Sequence, residues 1–487
     1  MSGIFGVVAK ENCADILFYG TDYHSHLGTE YGGLAVLGKD FTRRIHNISQ
    51  SQFKSRFFDD YKSIEGNKGI GVISALDEQP IYLNSRLGAF CLVTNGIIEN
   101  SEDLMAQMLK RGESFSEVSR DKVNTTELVA KIISQGKDIV DGIDKVFDVI
   151  EGSCSLLLLN KDGVYAARDR LGYTPLVVGK QEDSGAWAVT TESCAFPNID
   201  FAIVKYIGQG EIVLLKESGM VQKKQAQETN QICSFLWIYT GFPASSYEGI
   251  NVEMVRERSG RSLARRDMDI EVDVVSGVPD SGIAHAIGYA QESGKPYRRP
   301  LVKYTPGYGR SYTPPSQETR DLIAKMKLVP IREIIQNNRI VVCEDSIVRG
   351  TQLKNFTIKK LWDCGAKEVH VRPACPPLMF PCRFNFSTRS IHELAARKAI
   401  RSIEGRDLEN VSEYTDHTSE KYKKMVDWIK RDIEVTTLRY QTVEDMVEAI
   451  GLPKEKLCLF CWTGECPLQC SSKTKKEKVS AREIPEF

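Results

Sequence analysis

The stretch Arg339 to Thr351, RIVVCEDSIVRGT, constrains the fold of this chain more than any other. Its first five residues form a short β-branched run of the kind that makes a buried parallel strand. Two acids follow, Glu344 and Asp345, then a small polar segment and a glycine. Beyond Thr351 the apolar residues Leu353, Phe356, Leu361 and Trp362 recur at roughly helical spacing. A loop between the carboxyl end of a strand and the start of a helix presents unpaired backbone N–H groups and the positive end of a dipole, which together cradle a phosphate. The paired acids before it suit a sugar diol or a hard divalent cation. Taken alone, the pattern also fits an N-capped helix with a solvated acidic turn.

The surroundings favour the cradle. From Gln231 to about Gly451 strands and helices alternate, which implies a parallel sheet with helices on both faces. Asp273 to Gly277 reads as a strand, VPDSG as a turn, and Ile283 to Gln291 as a helix. Ligands of open α/β sheets sit outside the carboxyl ends of the strands, so the two loops are expected to face one crevice. Ser2 to about Asn230 reads differently, with many short strands punctuated by glycine and few helices, Ala14 to Tyr19, Ser101 to Arg111 and Thr125 to Gln135. That pattern predicts stacked sheets covered by helices. A chain of 487 residues exceeds one core, so two domains are expected.

Charge and composition narrow the partners. The chain is 41% hydrophobic and 26% charged with a formal charge of −1, which favours neither nucleic acid nor a membrane surface. It has no basic, apolar leader at its start and no run of about 18 apolar residues, so a cytoplasmic location is expected. Thirteen cysteines in such a chain read as thiols or metal ligands rather than a disulfide framework. Cys458 and Cys461 form a CxxC pair whose spacing suits zinc, redox chemistry or an iron–sulfur cluster. The seven histidines show no metal-ligand spacing.

RIVVCEDSIVRGT closely resembles the phosphoribosyl diphosphate signature of type I phosphoribosyltransferases, and DSIVRGT resembles its amidophosphoribosyltransferase version. The first half is similar to the glutamine amidotransferase domain with an N-terminal nucleophile, through SGIFG, HLGTEYGG, TNG at 94 to 96 and AARDRLGYTPL at 166 to 176. The resemblance implies an α+β, αββα N-terminal-nucleophile domain over residues 2–230. It implies an α/β phosphoribosyltransferase domain with a parallel sheet over 231–470, and a charged tail over 471–487. In the second domain, Glu344, Asp345 and Ser281 would position ribose and Mg2+. The backbone of Ser346, Ile347, Val348, Arg349, Gly350 and Thr351 would hold the 5-phosphate, and Lys303 and Arg310 would neutralise the leaving pyrophosphate. Glu344 stands where the family usually has aspartate. The Gly-, Pro- and Tyr-rich segment 302–320 matches a flap that closes over the substrate, although one residue is added between Lys303 and Gly309. Some members of the family place a [4Fe-4S] cluster on positions matching Cys233, Cys382, Cys458 and Cys461, a ligand set that equally suits structural zinc. A homo-oligomer, dimer or tetramer, is implied as well.

The glutaminase positions depart from the family. Ser2 replaces the nucleophilic cysteine, and a hydroxyl is a far weaker nucleophile than a thiol with thiolate character. The arginine that clamps the substrate carboxylate is missing from Gly71-Val72-Ile73-Ser74-Ala75, where the family has Gly-His-x-Arg-Tyr. The aspartate that clamps the ammonium is Thr125 in Asn124-Thr125-Thr126-Glu127. Only the oxyanion pair, Asn95 and Gly96, is kept, and an Asn-Gly turn explains it equally well. Charge-assisted contacts contribute about 1.5 to 3 kcal/mol each, so loss of glutamine hydrolysis is expected. What remains is transfer of phosphoribosyl to ammonia, supplied free or by a protein partner, or to another amine. The alternatives are a non-catalytic regulatory or scaffold paralogue, a glutamine-dependent purine-biosynthetic enzyme with a rebuilt pocket, and hydrolysis of a different amide at Ser2.

Overall fold

The computed structural model describes residues 2–119, 122–228, 230–304, 326–384 and 390–465. Arg310, most of the expected flap, Cys466, Cys470 and the charged tail therefore lie outside the described residues. The rest falls into two compact units. The first runs to Glu253 and regains the chain at Cys382 and from Gly451 to Leu457; the second is built from the remainder.

Period-two burial organises the first unit. Strands β1 (Gly3–Val8), β2 (Tyr31–Leu37), β3 (Phe41–Asn47) and β4 (Lys68–Ser74) join Trp187–Thr190, Val177–Lys180 and Ala202–Tyr206 in a seven-stranded antiparallel sheet. Strands β5 (Ile81–Ser85) and β6 (Gly88–Asn95) join Ser155–Asn160, Gly163–Ala167, Ile212–Lys216 and Gly219–Lys224 in a six-stranded one. Alternate residues of each strand go to opposite faces. Ile4 and Val8 of β1 meet Cys91 and Val93 of β6 and Leu157, Val164 and Val213 between the sheets. Phe5 and Val7 point the other way, onto Leu17, Phe18, Phe53 and Phe57 of α1 (Ala14–Asp22) and α2 (Phe53–Lys62). Phe90 and Leu92 of β6 face Leu128, Ile132, Ile143 and Val146 of α4 (Thr125–Ser134) and α5 (Ile139–Val149), beside α3 (Ser101–Lys110). The layers are helix, sheet, sheet, helix, the expected αββα order.

Two of these helices were not expected from sequence. Of the residues of α2 only Phe53 and Phe57, one turn apart, are buried, too thin an apolar stripe to read. Helix α5 contains Gly142, which reads as a breaker but is the contact point itself. A Cβ there would meet the Ile133 carbonyl oxygen at 2.2 Å, so the glycine lets α5 lie against the end of α4.

The second unit holds a four-stranded parallel sheet in the order Val274–Gly277, Arg339–Glu344, Glu368–Pro373, Thr437–Leu438. One face packs Ile340, Val342, Val369 and Val371 against Ala399, Ile400, Met425 and Ile429 of Ala395–Glu404 and Glu420–Asp432. The opposite face packs Val275, Val341 and Cys343 against Leu263, Ala286 and Tyr289. This is the expected α/β domain with a parallel sheet covered on both sides. Among the described residues no helix is long and apolar enough to cross a membrane.

Candidate functional site

At the carboxyl end of the parallel sheet, two loops meet as the strand order requires. Glu344 ends its strand, and Gly277 pairs with Cys343 one residue earlier. The loop after Gly277 folds back on the neighbouring strand: Val278 N–H donates to the Cys343 carbonyl at 3.0 Å, and Gly282 N–H to the Val278 carbonyl at 2.8 Å. Gly282 lies so close that a Cβ would sit 2.1 Å from the Cys343 oxygen. This approach places Ser281 against the acids, and its Oγ donates to Glu344 Oε1 at 2.7 Å. Asp345 N–H donates to the same oxygen at 3.0 Å, while Ser346 Oγ donates to Asp345 Oδ1 at 2.5 Å.

Both acids are buried. Burial, followed by the neighbouring Asp345, raises Glu344 well above the usual carboxylate range, and burial raises Asp345 as well. Arg256, a buried side chain the sequence reading did not single out, acts weakly in the opposite sense on Asp345. Two adjacent buried carboxyls, both shifted upward by burial, form with the Ser281 hydroxyl a set of hard oxygen donors.

The cradle residues divide into anchors and rim. Ile347 is buried in the sheet core, and the Val348 carbonyl accepts Ala395 N–H at 2.7 Å, so one side chain and one backbone carbonyl anchor the loop. Gly350 has φ of +79°, which a β-branched residue resists. Thr351 is exposed, and the helical stretch beyond it is a π-helical segment, Leu353–Ile358, running into Lys359–Asp363. Arg349 lies on the rim, paired with Glu393 at 2.7 Å. Lys303 donates from Nζ to Asp280 Oδ2 at 2.6 Å, a second partner that sequence reading missed.

The cysteines divide between the units. Cys233 and Cys382 belong to the first, where burial and then the Cys382 thiol push Cys233 up to about 12, while the backbone N–H groups of Phe235 and Leu236 donate to its sulfur. Cys458 and Cys461 belong to the second, where the Cys461 carbonyl accepts Met379 N–H at 2.9 Å and Phe380 N–H at 3.1 Å. Among the described residues no group of three or more His, Cys, Asp or Glu is gathered as a metal site.

The degenerate positions of the first unit do come together. Ser2 precedes Gly3, the residue paired with Ile73, and its backbone N–H donates to Asn95 Oδ1 at 3.2 Å. Gly96 has φ of +145°, and a Cβ there would meet the Ser153 carbonyl oxygen at 2.0 Å, so packing alone requires a glycine. Ser74, at the arginine position, is buried and turns its hydroxyl back to accept Leu76 N–H at 3.3 Å. Thr125, at the aspartate position, is not bare: its hydroxyl donates to Asp77, which also accepts Thr125 N–H at 3.0 Å.

A family model described as a glutamine amidotransferase domain matches residues 69–198. The chain is 30% identical over 511 aligned residues to the amidophosphoribosyltransferase of Methanocaldococcus jannaschii, covering 99% of this chain and all of that one. It is 30% identical to the amidophosphoribosyltransferase of Archaeoglobus fulgidus, covering 96% and 98%. Among solved structures it is similar to the glutamine phosphoribosylpyrophosphate amidotransferase of B. subtilis complexed with ADP and GMP, with a TM-score of 0.80, 29% identity, and coverage of 96% and 97%.

Proposed function

Because this chain belongs to the amidophosphoribosyltransferase family, we propose that its second unit binds phosphoribosyl diphosphate with Mg2+ and transfers phosphoribosyl to ammonia or another amine, releasing pyrophosphate, without hydrolysing glutamine in the first unit. The observation that carries this reading is the acid pair Glu344–Asp345, locked to Ser281 at the mouth of the 346–351 loop. The carboxylates and hydroxyl would hold Mg2+, which when bound supplies charge to the pyrophosphate oxygens. The loop backbone holds the 5-phosphate, and Lys303 with Arg310 receives the leaving group. Catalysis of this kind is positioning and charge stabilisation, so no protein nucleophile is required.

Loss of glutamine hydrolysis is supported by Ser74 and Thr125, whose side chains carry no charge for either end of an amino acid. The amine then arrives as free ammonia or from a protein partner. Cys233, Cys382, Cys458 and Cys461 are proposed to hold a [4Fe-4S] cluster, with zinc as the alternative. The N–H donors at Cys233 fit a thiolate ligand of either. A structural role is proposed for that site and a homo-oligomer for the assembly.

The test uses anaerobically purified full-length protein with Mg2+ and phosphoribosyl diphosphate, measuring pyrophosphate and glutamate separately. Ammonium should support pyrophosphate release, and Asp345→Asn should lower it by about 100-fold. Glutamate formed from glutamine would refute the loss of glutaminase. Binding of phosphoribosyl diphosphate with no pyrophosphate release from any amine would instead identify a regulatory paralogue.

A further inference from the structure

We infer that Asp280 and Glu393 are internal stand-ins for the two phosphate ends of the substrate, each holding a cation of the crevice until a bound ligand displaces it. The role rests on the assignment of the crevice to phosphoribosyl diphosphate made above, and it names what disfavours anions with only one of the two ends.

The same arrangement occurs twice in the second unit. Lys303, proposed to receive the pyrophosphate, ends the strand Leu301–Lys303, and its Nζ donates to Asp280 Oδ2 at 2.6 Å. Asp280 directly precedes Ser281, whose hydroxyl is bound to Glu344, and its own carbonyl accepts Ile283 N–H at 3.3 Å. Its backbone is therefore fixed while its carboxylate reaches out to the lysine. Arg349 belongs to the loop proposed to hold the 5-phosphate, and its Nη2 meets Glu393 Oε2 at 2.7 Å. Glu393 ends the turn Ile391–Glu393, two residues before Ala395, whose N–H binds the Val348 carbonyl and ties that turn to the cradle.

Exposure separates these pairs from structural ones. In the same unit Arg372 and Asp267 are joined with both side chains fully buried, so that removing either partner strands a charge. Lys303 and Asp280 are 33% and 63% exposed, and Arg349 and Glu393 are 59% and 43% exposed. Exposed pairs add little to stability, so holding the fold does not account for them. What they set is local charge, because an anion reaches either cation only by replacing its carboxylate. A ligand with a diphosphate and a 5-phosphate replaces both, and its second contact forms within an already bound molecule. Pyrophosphate or a 5-phosphate alone meets one paired cation beside a carboxylate that repels it. The two acids thus favour the intact substrate over either fragment, and they pair with their cations again once C1 and pyrophosphate part.

Full-length protein is titrated calorimetrically with inorganic pyrophosphate and with ribose 5-phosphate at one fixed Mg2+ concentration. Asp280→Asn should tighten pyrophosphate about threefold to tenfold with ribose 5-phosphate unaffected, and Glu393→Gln should tighten ribose 5-phosphate about threefold with pyrophosphate unaffected. Tighter binding is the readout because a loosened or misfolded site binds more weakly, and thermal melts verify that each variant is folded. The gain from Asp280→Asn should disappear in a Lys303→Ala background, and that from Glu393→Gln in an Arg349→Ala background, as the pairwise term of a double-mutant cycle. Unchanged or weaker binding in the folded variants, a gain indifferent to which end was altered, or a gain that survives removal of the paired cation would overturn the stand-in role. A folded parent that binds neither probe would refute the assignment of the crevice, and the stand-in role with it.

Discussion

Glu344 is a carboxyl group whose pKa is raised by its own burial in the fold. The sign of its effect on stability follows from linkage. Its folded pKa lies well above the ordinary 4.5, so above pH 4.5 the native protein binds more protons than the unfolded chain. The stability it confers is full below that pH and is lost as pH rises toward the folded value. Glu344→Gln should therefore melt at a higher temperature than the parent near about pH 8 and at the same temperature near about pH 4, as calorimetry can check. Equal shifts at both would show that packing, rather than charge, governs the position. The sequence announced this residue through its place after a β-branched strand. It could not announce Arg256, whose nearness to Asp345 depends on how a distant helix packs.

At the scale of elements, the site exists because the loop after Val274–Gly277 lies almost in contact with the strand beside it. Gly282→Ala would drive a Cβ into the Cys343 carbonyl, and backbone at both sides leaves no flexible side chain to yield. The loop should lift, separating Ser281 from Glu344. The expected result is loss of phosphoribosyl diphosphate binding by calorimetry together with a lower melting temperature, while Gly294→Ala, where a Cβ meets open space and the cost is that of a φ of +67° alone, should keep binding. The strands and the two loops were legible because period-two burial and turn residues are local signals. Helix α2 was not, since its buried stripe is two residues wide, nor was α5, whose Gly142 serves a close approach that no local signal announces. Nor was the meeting of Asp77 with Thr125, which are 48 positions apart and joined only when a loop closes on a helix end.

Across the whole molecule, the first unit is not one continuous piece of chain. Phe384 stacks on Tyr173 with ring centroids 3.9 Å apart, Arg383 Nε donates to Glu99 at 2.8 Å, and the Glu455 carbonyl accepts from Gln231 Nε2 at 3.4 Å. A fragment ending at Glu253 loses all three. It should be markedly less stable to urea than the same unit in the intact chain, with Tyr173 newly exposed to solvent quenching. The contact between Asp77 and Thr125 also bears on what the chain tolerates at position 125. A carboxylate at position 125 would face Asp77 across hydrogen-bonding distance, so restoring an aspartate there meets repulsion from Asp77. Thr125→Asp alone should destabilise the protein, and the double change Thr125→Asp with Asp77→Thr should recover most of that loss in urea denaturation. Positions 77 and 125 therefore behave as one charge unit, and a carboxylate can move from one to the other only if both residues change together.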